Sequence, residues 1–313
     1  MPPWDGAAKL LKIVIFPCLG GLSGMVRFSF AVVRRLLQCI GLLILGAASG
    51  PMASGDSLYE LPANAVSEHS LDEFVIGNLQ FILMHELAHL IVGEKAVPIL
   101  GPEESAADYI AATFLIRGDG QDDALKARLR KHVESAANAF AILWEHEQNV
   151  GTQVPYWGGH AVGIQRYYRL LCLLAGSRSN AADVSPGLPE LPDDRAADCD
   201  VEYQKADQSV QWLLDNYGRR PGDPAGEDVQ IVYEDTRTQM QERLMEQVRD
   251  RRLVELTVEA LTSRFVLDRS LHIVLRVCYR PAAIWNPEEG ELTLCYDLLD
   301  AFRQIYKIGL RAK

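Results

Sequence analysis

No stripe of lysine and arginine runs through this sequence. It holds 31 basic and 42 acidic side chains, a formal charge of -11, and nucleic acid, whose phosphates demand a positive footprint, is set aside as a partner. No internal repeat is present, so the fold is not a stack of identical units. Cysteine is scarce, at six in 313 residues. Cys39 follows Gln38 rather than a small residue, which argues against lipid attachment there. The apolar run Leu36–Leu45 falls short of the roughly 20 residues of a spanning helix.

That run does have the anatomy of a secretory signal. Arg27, Arg34 and Arg35 precede it and small residues from Gly46 to Gly50 follow, with cleavage expected after Ala48 or Ala53 and Met25 as an alternative start. The earlier apolar stretch Leu10–Leu22 keeps a retained membrane anchor open as the alternative. Residues 1–53 are therefore read as signal peptide or anchor, and 54–313 as one composite domain, exported to the periplasm or secreted. Four cysteines remain in it, and an oxidising compartment allows them to pair. Cys172 with Cys199 and Cys278 with Cys295 are favoured as nearest in sequence, among three connectivities, with buried free thiols as the alternative.

Helical periodicity dominates the first part, 70–217. Ser70 and Glu73 read as a capping box before an apolar helix that ends near Gly93. Further helices are expected from Pro102 to about Ile116, Asp122 to Glu147, Val162 to Leu174 and Ala197 to Tyr217. Residues 178–197 and the linker 218–227 read as surface connections. An α/β part, 228–313, follows: a strand at Val229–Tyr233, a helix at Arg237–Arg264, a strand at Leu271–Tyr279 and another at Glu291–Tyr296, the last two paired through the turn Asn286–Gly290. A helix from Asp297 to about Ile308 closes the chain. The class expected is α+β, mostly helical, with a small antiparallel sheet supplied largely by the C-terminal segment.

The apolar helix carries His85-Glu86-Leu87-Ala88-His89. Residues four apart share a helix face, so both imidazoles can reach one ion with Glu86 beside them. Catalytic zinc takes three protein ligands and keeps a position for water. Glu104 is the expected third ligand and Glu103 its rival. Glu104 is preferred because Asp108 then lies at i+4, placed to orient a ligating histidine. The chemistry implied is peptide hydrolysis by a zinc-activated water, with Glu86 as general base. His160, in the aromatic and glycine-rich stretch Pro155–His160, is the preferred oxyanion donor, ahead of Tyr156 and Tyr109. His69, His132, His146 and His272 read as surface or structural groups. An intramembrane peptidase is disfavoured, because Asp72, Glu73, Asn78 and Gln80 sit on the same helix.

HELAH followed by E-S-A-A-D resembles the gluzincin pattern. Together with Phe81–His89, Val97–Asp108, Tyr156–His160, Gln165–Cys172, Arg195–Cys199 and Leu294–Leu298, it is similar to a bacterial metallopeptidase family designated a domain of unknown function. The resemblance implies an exported zincin-like fold, with zinc on His85, His89 and Glu104, Glu86 as base and a peptide or protein substrate. Two departures stand out: Ala161 to Ile164 replaces expected acidic residues, and the strands follow the zinc helix instead of preceding it. A catalytically silent, zinc-stabilised envelope binding protein is the alternative function.

Overall fold

The computed structural model describes residues 67–154, 156–177 and 191–311. The expected signal or anchor lies outside them. Helix α1, Glu68–Glu94, begins one turn before the expected capping box: Ser67 is the N-cap, and its Oγ accepts from Ser70 N–H at 3.1 Å. Glu73 is thereby freed from capping and pairs with Arg251 at 2.5 Å. From Phe74 to Val92 every residue of α1 is buried, so this helix, apolar all round, is the axis of the core. It is long and apolar enough to cross a membrane, yet the protein itself encloses its apolar stretch.

Around it pack α2 (Glu103–Arg117), α3 (Asp123–Val150), α8 (Leu253–Thr262) and α9 (Asp297–Arg311). Helix α2 ends on Gly118 in the left-handed conformation (φ 52°). Helices α4 (Gly163–Gly176), the short α5 (Asp193–Ala196) and α6 (Cys199–Tyr217) form a second shell against α2 and α3. The Cys172–Cys199 disulfide ties α4 to α6. Gly176 permits that approach, because a Cβ there would fall 2.0 Å from the Cys199 carbonyl oxygen.

The α/β part differs from the sequence expectation in two ways. The single helix expected over Arg237–Arg264 is two, α7 (Gln239–Asp250) and α8, broken at Arg252, whose φ of 48° reverses the chain. No glycine or proline marks the break. What it achieves is burial of Leu253, Val254, Val258 and Leu261. The sheet is mixed, not antiparallel: β1 (Val229–Tyr233), β2 (Leu271–Arg276), β3 (Ala283–Asn286) and β4 (Glu291–Cys295) lie in the order β1-β2-β4-β3. Strands β1 and β2, and β2 and β4, pair in parallel, whereas β3 and β4 form the hairpin about Asn286–Gly290. The long connection through α7 and α8 is what makes the β1–β2 pairing parallel. Strand β3 is too short to be seen in the sequence, and it is the strand that packs on α1. Disulfide Cys278–Cys295 secures the end of β4.

His132 is not a surface group. It is buried on α3, and Gly77 makes room for it, since a Cβ there would lie 3.1 Å from the ring. Its Nδ1 meets Gln80 Oε1, while Gln80 Nε2 donates to Thr257 Oγ1 at 3.0 Å and that hydroxyl donates to the Leu253 carbonyl at 2.6 Å. Burial draws the His132 pKa down to about 4. Between that value and the unfolded value of about 6.5 the unfolded chain binds more protons. Stability is therefore expected to fall by about 3 kcal/mol as pH drops through this window, and to level off below it. Urea unfolding midpoints from pH 4 to pH 7 test this. The His132→Gln chain, though less stable, should lack that part of the slope; an unchanged slope would place the effect elsewhere.

Candidate metal centre

Helix α1 sets His85 and His89 one turn apart, and the first turn of α2 brings Glu104 against both. His85 Nε2 and His89 Nε2 are 3.2 Å apart, and each is 3.3 Å from Glu104 Oε2. Three atoms so spaced form one face of a tetrahedron. An ion bound at about 2.0 Å to each ligand requires a ligand-to-ligand edge of about 3.3 Å. Among the described residues, His85, His89 and Glu104 are the group that could hold a metal ion.

The outer nitrogens explain why the inner ones converge. His85 Nδ1 meets Asp108 Oδ1 at 3.0 Å, and His89 Nδ1 meets Glu103 Oε1 at 2.7 Å. With each Nδ1 engaged by its outer carboxylate, each Nε2 is the atom that faces Glu104, where it can hold either a proton or a metal ion. Glu103, the rival ligand in the sequence reading, is thus placed as the partner of His89. Asp108 is in turn clamped by Arg166 of α4, whose Nε and a terminal nitrogen donate to its two oxygens at 2.8 and 2.6 Å. The Arg166 guanidinium lies 3.8 Å over the Phe140 ring. Sequence reasoning gave Arg166 no role: it is 58 residues from Asp108, and only its position in the Gln165–Cys172 motif pointed to it.

The electrostatics favour a cation. Burial pushes the Asp108 and Glu104 carboxyls up, but Arg166 and His85 hold Asp108 well below the carboxylate range, and His85 and His89 do the same for Glu104. Burial works against a charge on His89, yet Glu103 and Glu104 raise its pKa to about 10. His85 is raised too, through Asp108 and Glu104 against burial. Both imidazoles therefore attract positive charge, which a proton or a metal ion can supply.

Glu86 is buried, and burial raises its pKa above the usual range. The backbone N–H of Trp285 in β3 donates to its carboxylate, while Oε1 has no hydrogen-bond partner. His160 lies beside the cluster, Nδ1 3.3 Å from Glu104 Oε2 and its ring facing His85 with centroids 6.1 Å apart. Burial and the Arg166 charge lower its pKa to about 4, so it is neutral. A Cβ on neighbouring Gly159 would sit only 3.6 Å from Glu104 Cγ. Among the described residues, the other two oxyanion candidates make no hydrogen bond to the cluster. Tyr156 is 72% exposed, and Tyr109 donates to Glu202 at 2.8 Å, between α2 and α6.

Glu104→Ala is expected to abolish tight metal binding, whereas Glu103→Ala should weaken it roughly 10- to 100-fold, the usual effect of losing an outer carboxylate. Arg166→Met should cost about 3–5 kcal/mol in unfolding free energy by stranding buried Asp108. Chelator competition and urea unfolding read the two effects. Metal loss in Glu103→Ala with retention in Glu104→Ala would reverse the assignment.

No curated protein and no solved structure matches the chain. A family model described as "Putative metallopeptidase" matches residues 56–214 and 233–311, spanning both histidines, Glu104, Arg166 and the strand beside Glu86. The chain belongs to that family.

Proposed function

We propose that the protein is an exported zinc-dependent peptidase. The observation that carries this reading is the triangle of His85 Nε2, His89 Nε2 and Glu104 Oε2 next to a buried carboxylate, Glu86, with an oxygen left free. Two imidazoles and one carboxylate are a donor set of catalytic zinc. A zinc ion held there supplies Lewis acidity and lowers the pKa of water to about 7.

The side chains then divide the remaining work. Glu86, raised in pKa by burial, takes the proton of the attacking water and passes it to the leaving amine. His160, beside Glu104, hydrogen-bonds the carbonyl oxygen as charge develops there. Arg166 and Glu103 act at one remove, through Asp108 and His89. Among the described residues β3 pairs only with β4, and Trp285 N–H turns away from that partner toward Glu86. The open edge of β3 therefore runs beside the base, where an extended peptide adds as a further strand. His85, Glu86 and His89 are buried and Glu104 is half-open, so the substrate approaches over Glu104 and His160. Export is supported by the two disulfides and the signal-like N-terminus.

The depth of the histidines favours a second reading, a catalytically silent, zinc-stabilised cell-envelope binding protein. Turnover separates the two. In the peptidase, Glu86→Gln should retain zinc and lose roughly 10²- to 10⁴-fold in kcat. His160→Ala should lose about 10²-fold with zinc unchanged. Stoichiometric zinc without cleavage of any member of a diverse peptide library would sink the peptidase and leave the binding protein.

A further inference from the structure

A cavity of about 80 Å³ opens among α1, α2, α3 and α8, and none of the residues at the candidate metal centre lines it. Its walls are mostly apolar: Met84, Phe114, Leu125, Leu129, Leu256 and Leu261 contribute. Three of these, Phe114, Leu125 and Leu256, are only half-buried, so they present apolar surface at the opening.

The charge at the opening is cationic, in a chain whose net charge is -11. Arg128, Arg251 and Arg264 line the cavity. Arg251 is committed to Glu73 at 2.5 Å. Arg264 is committed to the backbone carbonyls of Ala260 and Asp119, at 2.5 and 2.6 Å. The lining carboxylate, Asp119, is held by Arg117 at 2.8 Å. Arg128 has no ion-pair or hydrogen-bond partner among the described residues and is exposed on α3. Mostly apolar walls with one guanidinium unpartnered among the described residues match a molecule that is apolar along its length and anionic at one end.

We propose that this cavity binds an alkyl carboxylate, its chain among the leucines between α3 and α8 and its carboxylate on Arg128. The occupant is thus a fatty acid, at a site separate from the metal centre. The polar chain of His132, Gln80 and Thr257 forms part of the wall and ties α3, α1 and α8 together, which keeps the cavity open rather than collapsed.

Calorimetric titration of the whole protein with octanoate and with octanol tests this. Octanoate should bind at least tenfold more tightly than octanol. Arg128→Gln, at an exposed helical position, should bring octanoate down to the level of octanol without changing octanol itself. Leu256→Trp, which fills the cavity from its mouth, should abolish both. No octanoate binding, equal affinity for the two ligands, or unchanged octanoate binding in Arg128→Gln would each overturn the assignment.

Discussion

Helix α1 is apolar on every face, and a helix of that kind cannot be left in water. Enclosing it is the constraint to which the other elements answer: α2, α3, α8, α9 and strand β3 each cover part of its surface. Enclosure makes every polar atom on α1 expensive, because a buried donor or acceptor without a partner costs about 1–3 kcal/mol. Asp72 is met by Arg243 and Gln247, Asn78 by the carbonyls of Phe74 and Ser135, and Gln80 by His132 and Thr257. Between Asp72 and His89, the one side-chain oxygen left buried and unpartnered is Oε1 of Glu86. That exception is the carboxylate proposed as the general base.

The same economy organises the candidate metal centre in layers. Arg166 holds Asp108, Asp108 holds His85, and Glu103 holds His89, so the two inner nitrogens arrive at Glu104 already oriented. The outer charges do more than position. They keep Asp108 and Glu104 ionised despite burial, which favours a cation at the triangle.

Helix α1 borders both the cavity and the candidate metal centre with neighbouring residues: Met84 lines the one and His85 belongs to the other. Adjacent helical residues point about 100° apart, so one helix can wall both. The sheet, supplied by the last third of the chain, completes the enclosure by setting β3 and the Trp285 N–H against Glu86.

The sequence by itself determined what is periodic and local. Two histidines four apart on a helix, Glu104 and Asp108 at the same spacing on the next, the long helices of the first part, and the favoured pairing of cysteines nearest in sequence all rest on short-range rules, and all are present in the structure. What depends on how elements cross was decided only by tertiary packing. Glu103 and Glu104 are adjacent, and only the approach of α2 to α1 sends one to the outer nitrogen of His89 and the other to the inner triangle. Arg166, the break at Arg252, the parallel pairing of β2 with β4, the short β3 and the burial of His132 belong to the same class. Each satisfies a charge, a hydrogen bond or an apolar surface on a distant segment, and periodicity along one segment carries no record of its distant partner.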